Sequence, residues 1–490
     1  MRSLTSVGPA RPTRESLPTM LLLAGALVLA AVVGVAIAAG FPEVAVALVV
    51  AIPALTLVLR DPWAAVLIWL AFMPFFVQTP DGTATPPVWV LHRLLVPSMV
   101  IVALVYRMLG LSRSHFRLSL TDLAIAVFVI LGIANIVLLS PNPARFTVAF
   151  YDSFVVPICF YWLVRLVEPR DDALRRMVPV LVALVLFQSA IGLASWVDPH
   201  ALPAAWLGRA GERTTGTLGG PGPYTVTLVF GSLIVLQRAM LLRSTWRRLA
   251  LFAVVLAGAL GVFLSLSRGS WLGALVAVAG VFFIYRRLTI QFLALSVVLG
   301  LVLAAGPLAS QFSYAVQRIG VEDTAASRLI TDNAAIRMIE ARPLLGFGYG
   351  NFEHFSEQYK ERVGDIPVKS GSAHHTYLAL AAENGLPSTA LYLFPAAWLL
   401  LLSFRRWARV PRTGMMNRAM LVFMWLAMAD IFIVSNFMDM LHSSAWGTTL
   451  WWISLGLIHV ILTRAWLPAT GRPALLLQAQ LQPVGGESGP

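Results

Sequence analysis

A chain of 490 residues that is 58% hydrophobic and only 12% charged is too apolar for a water-soluble globular protein, where about a quarter of residues carry charge. Its net charge of +13 comes almost wholly from arginines in short stretches between apolar runs, which marks them as topology determinants rather than a nucleic-acid footprint. A single cysteine, Cys159, excludes an intramolecular disulfide and any cysteine-based zinc site. Runs of about 20 apolar residues recur, each long enough to cross a hydrocarbon core of about 30 Å. They are continuous rather than alternating, so the fold class is an all-α polytopic membrane protein and not a β-barrel.

In chain order the runs predict helices over 20–39, 41–59, 62–78, 88–106, 120–139, 146–166, 177–196, 223–242, 249–267, 270–285 and 289–308. Three more follow over 387–404, 419–438 and 444–463, about 14 transmembrane helices in all. The first follows Arg2, Arg11 and Arg14 in a tail over 1–19, and its apolar run exceeds a signal h-region, so it reads as an uncleaved anchor. Alternate loops then carry Arg107, Arg113 and Arg117; Arg165, Arg170, Arg175 and Arg176; Arg238, Arg243, Arg247 and Arg248; Arg286 and Arg287; and Arg405, Arg406, Arg409, Arg412 and Arg418. Loops of the other parity carry few: Arg145, Arg209, Arg213 and Arg268 nearly complete them. The positive-inside rule makes the first series cytoplasmic, and with it both termini, including the tail 464–490.

One connection breaks the pattern. Residues 309–386 form a large extracytoplasmic loop between helices 1–11 (20–308) and helices 12–14 (387–463), and it holds both lysines, Lys360 and Lys369. "DTAASRLITDNAAIRMIEARP" predicts a helix with Asp323 or Thr324 as N-cap and Pro343 as its stop. "HHTYLALAAENG" predicts a second helix, closed by Asn384 and Gly385 before Pro387 opens the next span.

The rare non-cytoplasmic arginines are informative because topology does not require them. Arg213 lies in "GERTTGTLGGPGPYT" and Arg268 in "SLSLSRGSWLG", at the junction of two apolar runs. An arginine at the bilayer edge snorkels or takes a partner, and its planar fork suits phosphate oxygens. The glycines at 216, 219, 220 and 222 lack the GK[ST] ending of a P-loop, and "GFGYGNF" over 346–352 is no dinucleotide fingerprint. His374 and His375 fall in the same extracytoplasmic layer. A neutral imidazole suits a general base for a hydroxyl nucleophile, whereas a helix-N-terminal histidine bonding to backbone is the structural alternative. A metal site adding His354 and Glu353 matches no HExxH spacing, so no metal is expected. Glu383 is nine residues beyond His374, about 900° around a helix and hence on the opposite face, so it anchors rather than assists. Asp152 and Asp430 are intramembrane acids suited either to a proton path or to pairing and capping.

"HHTYLALAAENGLP" resembles the signature of the bacterial O-antigen ligase and polysaccharide-polymerase (Wzy-like) superfamily, with His374, Tyr377, Leu378, Glu383, Gly385, Leu386 and Pro387 in register. "RPLLGFGYGNF", "SLSRGSWLG" and "RTTGTLGGPGPYT" resemble three further elements in the same order, together covering roughly 205–390. Two departures stand out: Gly222 replaces the usual Asn after Pro221, and His375 replaces the Asn that often follows the histidine. The resemblance implies a GT-C-like fold and a metal-independent, inverting glycosyltransferase without cofactor in the bacterial inner membrane. Its donor is a glycan on undecaprenyl diphosphate, and its acceptor a saccharide or lipid A-core hydroxyl on the outer face. His374 is then the catalytic base. Arg268 and Arg213 bind the diphosphate, with His375, Tyr377 and Gly348 as further substrate-binding residues, and Glu383 and Gly385 are structural.

Ligation to lipid A-core is the leading reading and chain polymerisation the alternative; they share donor and chemistry and differ in acceptor. A protein O-oligosaccharyltransferase is a third version. A fourteen-span transporter belongs to another class, and it predicts charge at midplane on broken helices in paired halves, whereas here the unexplained arginines and histidines gather at one face.

Overall fold

The computed structural model describes residues 56–75, 87–112, 114–203, 206–207, 213–305, 323–361, 374–440 and 445–465. The tail 1–19, the predicted span over 20–39, most of 41–59, Lys369 and all of the tail 464–490 beyond residue 465 lie outside them. The chain divides into two compact units, 1–64 and 65–490. In the first, the described residues hold a helical turn over 56–60 and Asp61, whose carboxylate accepts the Trp63 amide at 3.2 Å.

Every regular element among the described residues is helical. In chain order they are α1 (Trp63–Phe72), α2 (Pro87–Met108), α3 (Leu120–Leu139), α4 (Pro143–Phe150), α5 (Val156–Val167), α6 (Asp171–Val197), α7 (Pro221–Met240) and α8 (Thr245–Leu264). Then come α9 (Arg268–Ile284), α10 (Arg286–Ala304), α11 (Asp323–Ala341), α12 (Phe352–Ser356), α13 (Thr376–Arg406), α14 (Arg418–Ser435) and α15 (Ala445–Arg464). A π-type turn over Tyr151–Val155 joins α4 to α5 into one 25-residue rod. Among the described residues eight helices are long and apolar enough to cross a membrane, with shorter apolar ones over 63–75 and 268–284.

α7 and α10 occupy predicted spans without being among those eight. For α7 the reason is position. Every residue from Pro221 to Gly231 is buried, and Thr225, Thr227 and Gln237 all bond within the protein, so the helix faces protein rather than lipid and tolerates polar side chains. α15 is also central, with 94% of its apolar window buried against 22% for α2 at the periphery.

Local chemistry sets the helix ends. Ser119 and Asp122 form a capping box at α3, with the Ser119 amide donating to Asp122 Oδ2 at 2.8 Å. Asn142 and Asn417 cap α4 and α14 by accepting the amides of Arg145 at 3.2 Å and Met420 at 3.0 Å. Two ion pairs join helices: Arg165 bonds Asp122, and Arg93 grips Asp152 through Nε at 2.9 Å and Nη2 at 2.7 Å. Asp152 is therefore a pairing residue. Asp430 sits fully buried on α14, and a Cβ on Gly273 of α9 would come within 2.3 Å of its Oδ1.

The described part of the 309–386 loop packs on itself. Ala335 and Met338 of α11, Phe347, Phe352 of α12, and Ala379 and Ala382 of α13 form one apolar cluster, completed by Phe355, Tyr359 and Leu378. The two predicted helices at 374–385 and 387–404 run on as one rod, α13, broken at Gly385, whose φ of 80° and ψ of 164° are not helical. The Leu386 amide donates to Pro343 O at 2.8 Å there, so the stop of α11 docks on the bend of α13.

Candidate active site

The start of α13 is held from two sides. Met440 N–H donates to Thr376 Oγ1 at 2.8 Å and that hydroxyl donates to Met438 O at 3.1 Å, which brings the segment after α14, with buried Asp439, against His374 and His375. The two histidines then divide. His375 is the N-cap, its Nδ1 accepting the Leu378 amide at 3.3 Å, so one ring nitrogen is spent on the helix terminus. His374 lies one residue outside the helix, half-buried.

Electrostatics place a cationic group around His374. Burial first, then the Arg328 guanidinium, and more weakly Arg213, hold its pKa below the ordinary 6.5, while Asp439 pulls the other way. Arg328, on α11, in turn feels Arg268, the first residue of α9; burial and Arg268 lower its own pKa and Asp332 raises it. Asp332 stands one turn along α11, its carboxyl raised by burial against the pull of His375 and Arg328. Arg213 thus acts on His374 directly, and Arg268 is linked to it through Arg328. Its Nε is buried without a hydrogen-bond partner, as is Asp332 Oδ1.

Two motifs explain how the arginines are held. In "SLSRGSWLG" the turn from α8 to α9 passes Leu266 at a φ of 48°. Trp271 stacks on Phe263 with centroids 5.7 Å apart and donates Nε1 to Phe263 O at 3.1 Å, while Thr225 Oγ1 on α7 bonds Ser270 Oγ at 2.7 Å. A Cβ on Gly269 would come within 2.7 Å of Phe437, so the glycine lets α9 approach the end of α14 and sets Arg268 at the rim. In "RTTGTLGG" the loop is pinned by Gln188 of α6, which donates Nε2 to Thr217 Oγ1 at 2.8 Å and accepts the Thr217 amide at 3.1 Å. Gly216, at a φ of 54°, leaves that amide room, since a Cβ would lie 2.1 Å from Gln188 Oε1. Gly222 has a local cause as well: the space beside it holds Met438 Sδ, 2.7 Å from where a Cβ would stand.

The other predicted site residues make the following contacts. Gly348, at a φ of 96°, donates its amide to Glu383 O at 2.9 Å and abuts Leu139 and Asn351. Glu383 is 1% exposed and accepts the Phe352 amide at 2.9 Å through Oε1. Gly385 meets Leu344 O so closely that a Cβ would lie 2.1 Å away. Tyr377 stacks on Phe432 at 4.9 Å with its ring 6.1 Å from that of His375. His354 and Glu353 are exposed on α12, and among the described residues no group of three or more His, Cys, Asp or Glu side chains is arranged to hold a metal ion.

Two residues escape a reading from sequence. Arg328 carries no motif of its own in the helix predicted over "DTAASRLITDNAAIRMIEARP". Asn135, a polar residue inside apolar α3, clamps the glycine turn: its Nδ2 donates to Leu345 O at 2.6 Å and its Oδ1 accepts the Tyr349 amide at 2.8 Å. An amide in a long apolar run was the available signal.

Residues 252–393 match the family model described as O-Antigen ligase, which supports placing the chain in the O-antigen ligase and Wzy-like superfamily. The matched stretch includes Arg268, Arg328, the glycine turn and both histidines and leaves Arg213 outside. No curated protein matches the chain.

Proposed function

We propose, with the O-antigen ligase segment as premise, that the chain transfers a glycan from an undecaprenyl-diphosphate carrier to an acceptor sugar hydroxyl, with ligation to lipid A-core as the leading acceptor. The observation that carries this reading is the placement of a half-buried His374, its pKa lowered, among the charges of Arg328, Arg213 and Asp439, with Arg268 beyond. A pKa below 6.5 leaves the imidazole neutral near pH 7 and able to accept a proton. The acceptor oxygen attacks the anomeric carbon, its proton passes to His374, and the bond between that carbon and the phosphate oxygen breaks with inversion. The electron pair leaves on the diphosphate, where Arg328, Arg213 and Arg268 meet the growing charge. Asp439 faces the imidazolium that forms. This step uses no metal.

The hydrocarbon tail of the donor has a candidate berth. An apolar cavity of about 430 Å³ lies among α7, α8, α9 and α10, lined by Leu228, Phe252, Trp271, Val278 and Phe292. Trp271 is three residues beyond Arg268 on α9, about 4.5 Å along the axis, so the cavity begins close to the guanidinium assigned to the diphosphate. α13 bears on sidedness: His374 precedes its first residue, whereas Arg405 and Arg406, from the arginine-rich series, end it. That asymmetry supports cytoplasmic termini and a site on the outer face of the inner membrane.

The test is a reconstituted assay with purified lipid-linked glycan. His374→Ala should insert normally and transfer ~10²–10⁴-fold more slowly. Wild-type-like transfer by that variant removes the base from the mechanism. Product from donor and core lipid together identifies a ligase; longer chains from donor alone identify a polymerase.

A further inference from the structure

A second polar cavity, of about 390 Å³, lies at the other end of the helix bundle. It is walled by the ends of α2, α5, α13 and α15 and the start of α3. Arg107, Arg117, Arg165 and Arg406 line it, with His459 and Glu168. Arg406 ends the helix that His374 precedes, so some 30 helical residues, of the order of 40 Å, separate the two sites. None of the cavity's lining arginines belongs to the segment that matches the O-antigen ligase family.

Topology explains arginines in these loops, and helix C-termini attract cations, but neither requires several guanidiniums to line one cavity. The charge balance is uneven. Arg165, 5% exposed, is committed to Asp122, and Glu168 is engaged by His115, whose amide donates to Oε1 at 2.8 Å. Arg107, Arg117 and Arg406 form no ion pair with a carboxylate among the described residues. Arg107 donates to the carbonyls of Ser114 at 2.8 Å and Phe116 at 2.6 Å, which folds the 107–117 segment over the cavity. Arg406 donates to Leu462 O at 3.3 Å with Nη1 and keeps its remaining donors. The Arg165 guanidinium lies over the Phe116 ring, 4.7 Å from its centroid. Three guanidiniums without acidic partners around one half-open cavity repel one another, and an anion between them relieves that repulsion.

We propose that this cavity is a binding site for a phosphate-bearing ligand. Guanidinium forks match tetrahedral phosphate oxygens, and a volume of this size holds a phosphoester headgroup rather than a bare ion. Basic pockets between transmembrane helices at the cytoplasmic surface take anionic lipid headgroups by the same chemistry that takes a soluble phosphate.

The full chain is reconstituted in nanodiscs and its thermal unfolding followed. One arm compares phosphatidylcholine alone with phosphatidylcholine containing phosphatidylglycerol; the other adds inorganic phosphate or pyrophosphate at matched ionic strength. In wild type at least one arm should raise the unfolding temperature by several degrees, and which arm does so identifies the source as lipid or solute. In Arg117→Gln/Arg406→Gln that rise should fall by more than half while His374→Ala retains it in full. If Arg406→Gln lowers the baseline through its bond to Leu462, the exposed Arg117→Gln is read alone by the same criterion. No rise in either arm for wild type, or a rise undiminished in the arginine variants, overturns the proposal.

Discussion

The side chain of Glu383 accepts the backbone N–H of Phe352 at 2.9 Å, while the carbonyl of the same glutamate accepts the amide of Gly348 at 2.9 Å. One buried residue on α13 thus closes the turn that α11 and α12 share. Hydrogen bonds to a charged acceptor are worth about 1.5–3 kcal/mol, and the amide left behind is buried. Glu383→Ala should therefore lower stability by roughly that amount and reduce transfer by loosening α13. Glu383→Gln, which keeps an oxygen for the Phe352 amide, should lose less than half as much. Thermal unfolding of the two variants in detergent separates them; equal losses would mean the carboxylate acts through something other than this bond.

The charges around His374 predict opposite pH shifts. Its pKa lies below 6.5 partly because Arg328 disfavours the imidazolium, and Asp439 opposes this. The general base must be neutral, so kcat/KM should rise with pH through a midpoint below 6.5. Arg328→Gln removes a cation, raises the imidazole pKa, and moves that midpoint to higher pH. Asp439→Asn removes an anion, lowers the pKa, and moves it to lower pH. Shifts in the same direction for both variants would detach the profile from His374.

Arg268 begins α9 at the rim of the site, and a lysine there would supply charge without the fork. If the guanidinium grips two diphosphate oxygens, Arg268→Lys should cost transfer at least tenfold, about 1.4 kcal/mol of transition-state stabilisation, with little change in unfolding temperature. Full activity in the lysine variant would reduce its role to a point charge.

Much of this architecture was legible before any coordinates, because the signals are local. Pro343 stands just past the end of α11, and Gly385, read as the close of one helix before the next, is the break in α13. What was not legible depends on which way a helix is turned. Arg328 and Arg337 are nine residues apart on α11, about 900° and so on opposite faces. Arg337 reaches outward to Glu361 at 2.6 Å, while Arg328 faces the histidine. Nothing in the spacing of "SRLITDNAAIRMIE" distinguishes the two. The same holds for the histidine pair: adjacency made them equivalent in sequence, and only the cap bond from Leu378 to His375 Nδ1 separates a helix-terminus residue from the one left facing the arginines. α7 illustrates the converse. Its polar side chains lowered its hydropathy because it is surrounded by protein, a property of the assembled bundle and not of the segment.

The cavity beside Trp271 gives the tail assignment a test of its own. Ala274 lines it one helical turn beyond Trp271 and nearly two beyond Arg268, so a larger side chain there narrows the space without touching the charged groups. Ala274→Phe should raise KM for an undecaprenyl-linked donor several-fold and leave kcat largely unchanged, since the tail contributes binding that is equal in ground and transition states. A donor analogue with a much shorter isoprenoid chain should be used almost equally by wild type and variant. Overpacking can also strain the helices, at a cost of about 1–3 kcal/mol, and that effect would slow both donors alike. The short-chain donor therefore discriminates: a defect confined to the long-chain donor places the tail between α7 and α10, and a defect shared by both removes it from there.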